Sequence, residues 1–241
     1  MSLWVHPGIR AVAFDAVGTL LFPNPSATEI YRTLAERQGV ALAGDDVRQR
    51  FVDSYRVEEE ADRANGWITS ERRERQRWHT IVTTTLHQLP DPEAAFDELF
   101  EHFALPSAWQ LHEEATAVFA VLHSRGIVLA LGTNYDARIN RVVAGMPGLA
   151  PLADRIVVSA AVGFRKPAAE FFREVTRVVG CQPNEVLFVG DDVENDFDGA
   201  QAAGLESVLF DPAIRSNLPR RIARLSELGT RNSECGTGNS E

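Results

Sequence analysis

Asp15 stands at the end of an apolar run, Ala11-Val12-Ala13-Phe14, with the pair Gly18-Thr19 close behind. A carboxylate at the exit of a buried strand is costly unless a cation or hydrogen-bond donors meet it. It is therefore a candidate nucleophile or metal ligand. Three further polar sets follow apolar runs: Thr133 and Asn134, Lys166, and Asp191, Asp192 and Asp196. Together they suit phosphoryl transfer. A carboxylate attacks phosphorus to form an aspartyl-phosphate, and the dianionic substrate needs neutralising by a lysine and a bound Mg²⁺. Mg²⁺ takes oxygen ligands and keeps several waters, so Asp15 with Asp191 or Asp196 and a nearby backbone carbonyl suffices. The Thr133 hydroxyl and neighbouring amides suit the phosphoryl oxygens. Each residue alone has a plain explanation as a turn, cap or surface charge. Their joint occurrence, in order and after successive strands, is what argues for a site. Two positions after Asp15, where a second acid would serve as proton donor, stands Val17.

The elements that must carry these residues alternate. A strand is expected at 9–14, followed by a long stretch without one, from about Pro25 to Trp109. Helices are expected there at 26–38, from Asp45 or Asp46 to 65, at 71–88 and at 93–103, with Ser26 and Thr69 or Ser70 as caps. Past Leu111, helices at 113–124, 137–144, 168–179 and 195–203 alternate with strands at 127–131, 155–159, 185–189 and 207–210. Strands separated by helices predict an α/β fold, a parallel sheet covered on both faces with ligands at its C-terminal strand ends. The expected organisation is a core of residues 1–22 and 108–228, an inserted helical domain at 23–107, and a polar tail at 229–241.

Composition narrows the partners. The 241 residues carry a net charge of −10, which disfavours a sequence-independent nucleic-acid binder. Cys181 and Cys235 have no metal-type spacing. The N-terminal residues lack the apolar core of a signal peptide, and no segment is long and apolar enough to span a bilayer. The expectation is a cytoplasmic protein acting on a small molecule, with neither nucleic acid nor membrane as partner.

The chain resembles the haloacid dehalogenase-like hydrolase superfamily. Phe14-Asp15-Ala16-Val17-Gly18-Thr19-Leu20 is similar to its first motif, and Leu129-Ala130-Leu131-Gly132-Thr133-Asn134 to the second. Gly163-Phe164-Arg165-Lys166-Pro167 resembles the third, and Val189-Gly190-Asp191-Asp192 through Asn195-Asp196, with Gly199-Ala200, the fourth. The resemblance implies a Rossmann-like core and a helical cap at 23–107 that closes over the pocket and selects substrate. It implies Asp15 as nucleophile, Thr133 as phosphate ligand and Lys166 as the bridging cation. Asn134, Gly18 and Thr19 join Thr133 and Lys166 as expected substrate contacts. Mg²⁺ falls to Asp15, the Val17 carbonyl, Asp191 and Asp196, with Asp192 behind them.

Val17 divides the mechanisms. Phosphatases of this family usually carry at that position a second aspartate, which protonates the leaving alcohol and activates water. Its loss costs about 10²–10⁴-fold in rate. The dehalogenase branch also lacks this acid, but has a Ser-Asn-rich fourth motif and needs no metal. Three readings follow: an Mg²⁺-dependent phosphohydrolase of a phosphate ester or acyl phosphate, a 2-haloacid dehalogenase, and a catalytically weak phospholigand-binding member. Within the helical block, the run Glu71-Arg72-Arg73-Glu74-Arg75-Gln76-Arg77 reads as a solvated face with Glu71 and Arg75 at i, i+4. Trp67, Trp78 and Trp109 read as packing, His79 and His87 as ordinary helix residues, and Pro23 to Pro25 and Leu105 to Ser107 as hinges.

Overall fold

The computed structural model describes residues 4–229. Cys235 and the polar stretch after Gly229 lie outside the described residues. The chain runs β1 (Ala11–Phe14), β2 (Leu21–Pro23), α1 (Ala27–Arg37), α2 (Gly44–Ala64), α3 (Glu71–Thr85), α4 (Pro92–His102) and β3 (Trp109–Leu111). It continues through α5 (Ala115–Ser124), β4 (Val128–Thr133), α6 (Arg138–Gly145), β5 (Ile156–Val158), α7 (Ser159–Val162) and α8 (Ala169–Val179). It ends with β6 (Val186–Gly190), α9 (Gly199–Ala202), β7 (Glu206–Phe210) and β8 (Arg221–Ile222).

Six strands form one parallel sheet in the order β5-β4-β1-β6-β7-β8. All four residues of β1 are buried, as a strand covered on both faces requires. Val12 and Phe14 face one layer with Leu129, Leu131 and Phe119 of α5. Ala11 and Ala13 face the other, where their small side chains admit Phe171 and Phe172 of α8. Because β1 lies between β4 and β6, the ends that carry Asp15, Thr133 and Asp191 are neighbours.

The helices α1–α4 follow β2 and share their own core of Tyr31, Leu34, Val82, Leu86, Phe96 and Leu99. Ser26 caps α1 by accepting from the Glu29 amide, and Ser70 caps α3 by accepting from Arg73. Asp91 caps α4 through the Ala94 amide. Helix α3 stops at Thr85, three residues before the expected end.

The edge strand β8 and the short helix α7 were not anticipated, and neither were two features nearer the site. The chain leaves and rejoins the sheet through an antiparallel ribbon in which Leu21 pairs with Leu111 and Pro23 with Trp109. In place of one helix at 195–203, residues Val193–Asp198 make a π-helical turn before α9. There the amide of Phe197 reaches back to the Asp192 carbonyl at 3.1 Å. No helix of the described residues is long and apolar enough to cross a membrane.

Candidate active site

Asp15 follows β1 directly, and its amide still bonds the Val189 carbonyl of β6 at 2.8 Å. Its side chain is buried among charges. Lys166 Nζ donates to Asp15 Oδ1 and to Asp196 Oδ1, each at 2.6 Å, and lies 3.3 Å from the Gly132 carbonyl. The Phe188 and Phe171 rings flank the ammonium at 5.2 and 5.8 Å. Oxygens of Asp15, Asp191 and Asp196 all lie within 4.8 Å of one another.

The supporting backbone is tightly specified. Gly18 has φ +98°, and a Cβ there would collide with the Asp191 carboxylate. A Cβ at Gly190 would likewise meet Asp196, which the π-helical turn directs back toward Lys166. The Asp192 amide donates to Asp196 Oδ2 at 3.1 Å, and the Asp192 side chain caps the turn through the Asn195 amide.

Three carboxylates facing one ammonium leave an excess of negative charge. Burial pushes Asp15 up to about 8, Asp196 and Asp191 add to the rise, and Lys166 opposes it. Desolvation by the crowded cavity wall, with Asp196 beside it, pushes Asp191 up to about 6 although it still opens to solvent, and burial raises Asp196. Burial works against the Lys166 ammonium, but Asp15 and Asp196 hold its proton firmly. An all-oxygen donor set with surplus negative charge fits a hard divalent cation.

The expected substrate contacts separate by geometry. Thr133, at the end of β4, is buried beside the lysine's carbonyl partner Gly132. Asn134 uses its amide to hold the lysine's backbone: Nδ2 donates to the Lys166 carbonyl at 3.1 Å, and Oδ1 accepts from the Lys166 amide at 2.8 Å. Thr19 is fully buried, and its hydroxyl donates to Asp191 Oδ1 at 3.3 Å rather than opening to the pocket.

The acids open into a cavity of about 370 Å³ that continues among the helices of the insert. Val17, Asn134 and Lys166 line it beside the carboxylates, and Trp78 and Trp109, expected as packing, line it too. Trp67 does not; the Arg63 guanidinium sits 5.3 Å from its ring.

The charge run on α3 is only in part the solvated face that its spacing suggested: Glu71, Arg72, Arg75 and Gln76 are exposed. Glu74 and Arg77 are wholly buried. Arg77 donates to Asp62 at 2.9 Å and to Glu59 at 2.5 Å, and Arg73 also pairs with Asp62. Arg165, beside Lys166 and almost fully buried, pairs with Glu74 and reaches within 3.6 Å of Asp62. Glu71 accepts from the Ala137 amide, and Arg75 pairs with Asp97 rather than Glu71. Backbone bonds from Thr69 to Gly163 and from Arg165 to Trp67, both 2.9 Å, join the same surfaces. Asn195 adds a bond to Glu59 at 3.1 Å. The insert therefore grips the two loops that carry Lys166 and Asp196. Arg165 escaped the sequence reading, and its one local signal is a second cation beside the lysine.

A family model described as haloacid dehalogenase-like hydrolase matches residues 9–204, most of the chain. The chain belongs to that family. Among HAD-like relatives, the mouse haloacid dehalogenase-like hydrolase domain-containing protein 3 is 30% identical over 223 residues, covering 88% of each chain. The ribulose-1,5-bisphosphate 5-phosphatase of Halopiger xanaduensis is 27% identical over 215 residues, covering 86% of this chain and 87% of the relative. The putative HAD-hydrolase YfnB of Bacillus subtilis, solved bound to magnesium, superposes with a TM-score of 0.66 at 23% identity, covering 91% and 96% of the two chains.

Proposed function

We propose that this protein is an Mg²⁺-dependent phosphohydrolase of small phosphorylated metabolites, acting through an aspartyl-phosphate on Asp15. The observation that carries the reading is the Lys166 ammonium held between Asp15 and Asp196, with Asp191 alongside. Asp15, Asp191, Asp196 and the Val17 carbonyl would hold Mg²⁺, which when bound offsets charge on the phosphoryl oxygens. Asp15 attacks phosphorus, and the P–O bond to the leaving group breaks. Lys166 neutralises the nucleophile and the incoming phosphate, and Asn134 fixes the lysine's backbone. The Thr133 hydroxyl donates to a phosphoryl oxygen. The helical insert, residues 23–107, acts as a cap that keeps bulk water from the reacting atoms.

The phosphatase-named relative from Halopiger xanaduensis supports this class of reaction. The decisive experiment is phosphate release with and without Mg²⁺, using Asp15→Asn as control. Activity is expected only with Mg²⁺, and the variant should lose at least about 10³-fold. Equal turnover by Asp15→Asn would sink the reading.

Val17 favours one alternative, since a halide leaves without a proton. Asp191 and Asp196 beside the nucleophile speak against it, because they repel a haloacid's own carboxylate. Metal-independent halide release from a chloroacid would establish that alternative. Tight Mg²⁺ and phosphate binding without turnover would point instead to a phospholigand-binding role.

A further inference from the structure

We infer that the substrate is an aryl phosphate, the phosphomonoester of a small phenol with no further negative charge. This deepens the phosphohydrolase reading and rests on it. The first support is the lining of the cavity beyond the acids. Tyr31, Phe51, Tyr55, Trp78, Phe96 and Phe100 meet there from α1, α2, α3 and α4. Their rings pack in sequence, with centroids 5.9 Å apart for Tyr31–Phe51 and 6.4 Å for Phe51–Trp78. Such walls take a flat apolar body by offset or edge contacts. About 370 Å³ lies at the small end of ligand pockets, enough for a phosphate carrying one or two rings.

The second support is the state of the cations. Among the described lining residues these are Lys166 and Arg138. Lys166 is taken up by Asp15, Asp196 and, in the proposed reaction, the transferring phosphate. Arg138 gives Nε and Nη2 to Asp136 at 2.8 and 2.7 Å and Nη1 to the Phe100 carbonyl at 2.9 Å. Its flat face lies 3.5 Å from the Phe100 ring centroid. A second phosphate or an α-carboxylate would thus find no free cation, and burying it unpaired is costly. Sugar bisphosphates and phospho-amino acids are disfavoured on that ground.

The third support is Val17, which lines the same cavity beside Asp15 and has no proton to give. A phenol ionises near pH 10, as the tyrosine side chain does, so it departs as the anion where an alkyl alcohol needs protonation. Asp15 forms the new bond to phosphorus while the aryl P–O bond breaks, and the aryloxide leaves with the electron pair. Water then attacks phosphorus and breaks the bond to Asp15. Of its two protons, one stays on phosphate and the other ends on the phenol.

The test ranks kcat/KM, which reports the step that expels the leaving group, for the wild-type protein with Mg²⁺. Phenyl and 2-naphthyl phosphate should exceed phosphoserine by at least about 100-fold, and benzyl phosphate, an aromatic substrate with an alkyl leaving group, by at least about tenfold. Phenylphosphonate should inhibit acetyl phosphate turnover at least about tenfold more tightly than methylphosphonate. In Trp78→Ala the ratio of kcat/KM for 2-naphthyl phosphate over acetyl phosphate should fall by about tenfold. The two wild-type measurements decide the matter should that variant not fold. Turnover of acetyl phosphate without these preferences, or benzyl phosphate matching phenyl phosphate, overturns the aryl assignment and leaves the phosphohydrolase standing. No phosphate release from any of these compounds overturns both.

Discussion

Each polar residue after β1, β4 and β6 is held by a neighbour that the motifs themselves supply. Gly18 leaves room for the Asp191 carboxylate, Gly190 for Asp196, and Asn134 ties down the backbone of Lys166. Val17 breaks this economy, because its side chain is 38% exposed and lines the cavity without a polar atom. Replacing it by a carboxylic acid restores a proton donor, so Val17→Asp should raise kcat/KM for an alkyl substrate such as glycerol phosphate by about 10²-fold. Phenyl phosphate should gain much less. A folded variant that binds Mg²⁺ yet shows no gain on glycerol phosphate would refute this account of Val17. The carboxylates and the lysine were legible because each ends or follows an apolar run. The job of Asn134 was not, since Thr-Asn after a strand looks like any loop until its amide is seen bonded to residues at 166.

At the scale of elements, the insert is fastened by charge as much as by apolar contact. Arg77 and Arg165 sit with Asp62, Glu59 and Glu74 between α2, α3 and the loop before α8. Removing one partner of a buried pair leaves the other uncompensated, at a cost of about 3–5 kcal/mol. Arg165→Leu strands Glu74, so its urea midpoint should fall by a corresponding amount with little change in slope. An unchanged midpoint would mean that the contact adds nothing. This network could not be seen in the chain. A run of Glu and Arg at helical spacing satisfies itself on paper at i, i+4, and its burial depends on a partner 91 residues away. The helices α1 to α4 were legible from caps and breakers such as Ser26, Ser70 and Pro92. The ribbon of β2 and β3 was not: Leu21-Phe22-Pro23 and Trp109-Gln110-Leu111 are too short to show alternation and lack the β-branched run that marks the equally short β5.

For the molecule as a whole, β1 at the centre of the sheet makes the site a product of topology. Three loops distant in sequence meet because their strands are neighbours. The far edge is closed by β8 and the segment behind it, which Glu114 anchors at the start of α5. Glu114 accepts from Arg224 at 2.9 Å and from the Ser226 amide at 3.0 Å. Burial acts to raise this carboxyl, but the Arg224 and Ser226 hydrogen bonds hold it below its usual range. A lowered folded pKa stabilises above the unfolded value of about 4.3 and loses that contribution as pH falls through the folded one. Glu114→Gln should therefore be less stable than the parent by about 1–2 kcal/mol at pH 7, with the gap closing below about pH 4. Thermal melts of both proteins across pH 3 to 7 check this, and a gap that stays constant would discount the anchor.

The β2–β3 ribbon has a consequence for ancestry and engineering. With Pro23 paired to Trp109, the chain departs and returns at points only about 5 Å apart. Everything between is, to the sheet, the tip of a hairpin. A different helical bundle spliced at that neck would leave the strand register of the host untouched. The ion-paired faces at Arg165 and Asn195 are then the portion of the host that must be redesigned to accept the new guest. Such an exchange would replace the cavity walls supplied by α1 to α4 and leave Asp15, Lys166, Asp191 and Asp196 in place.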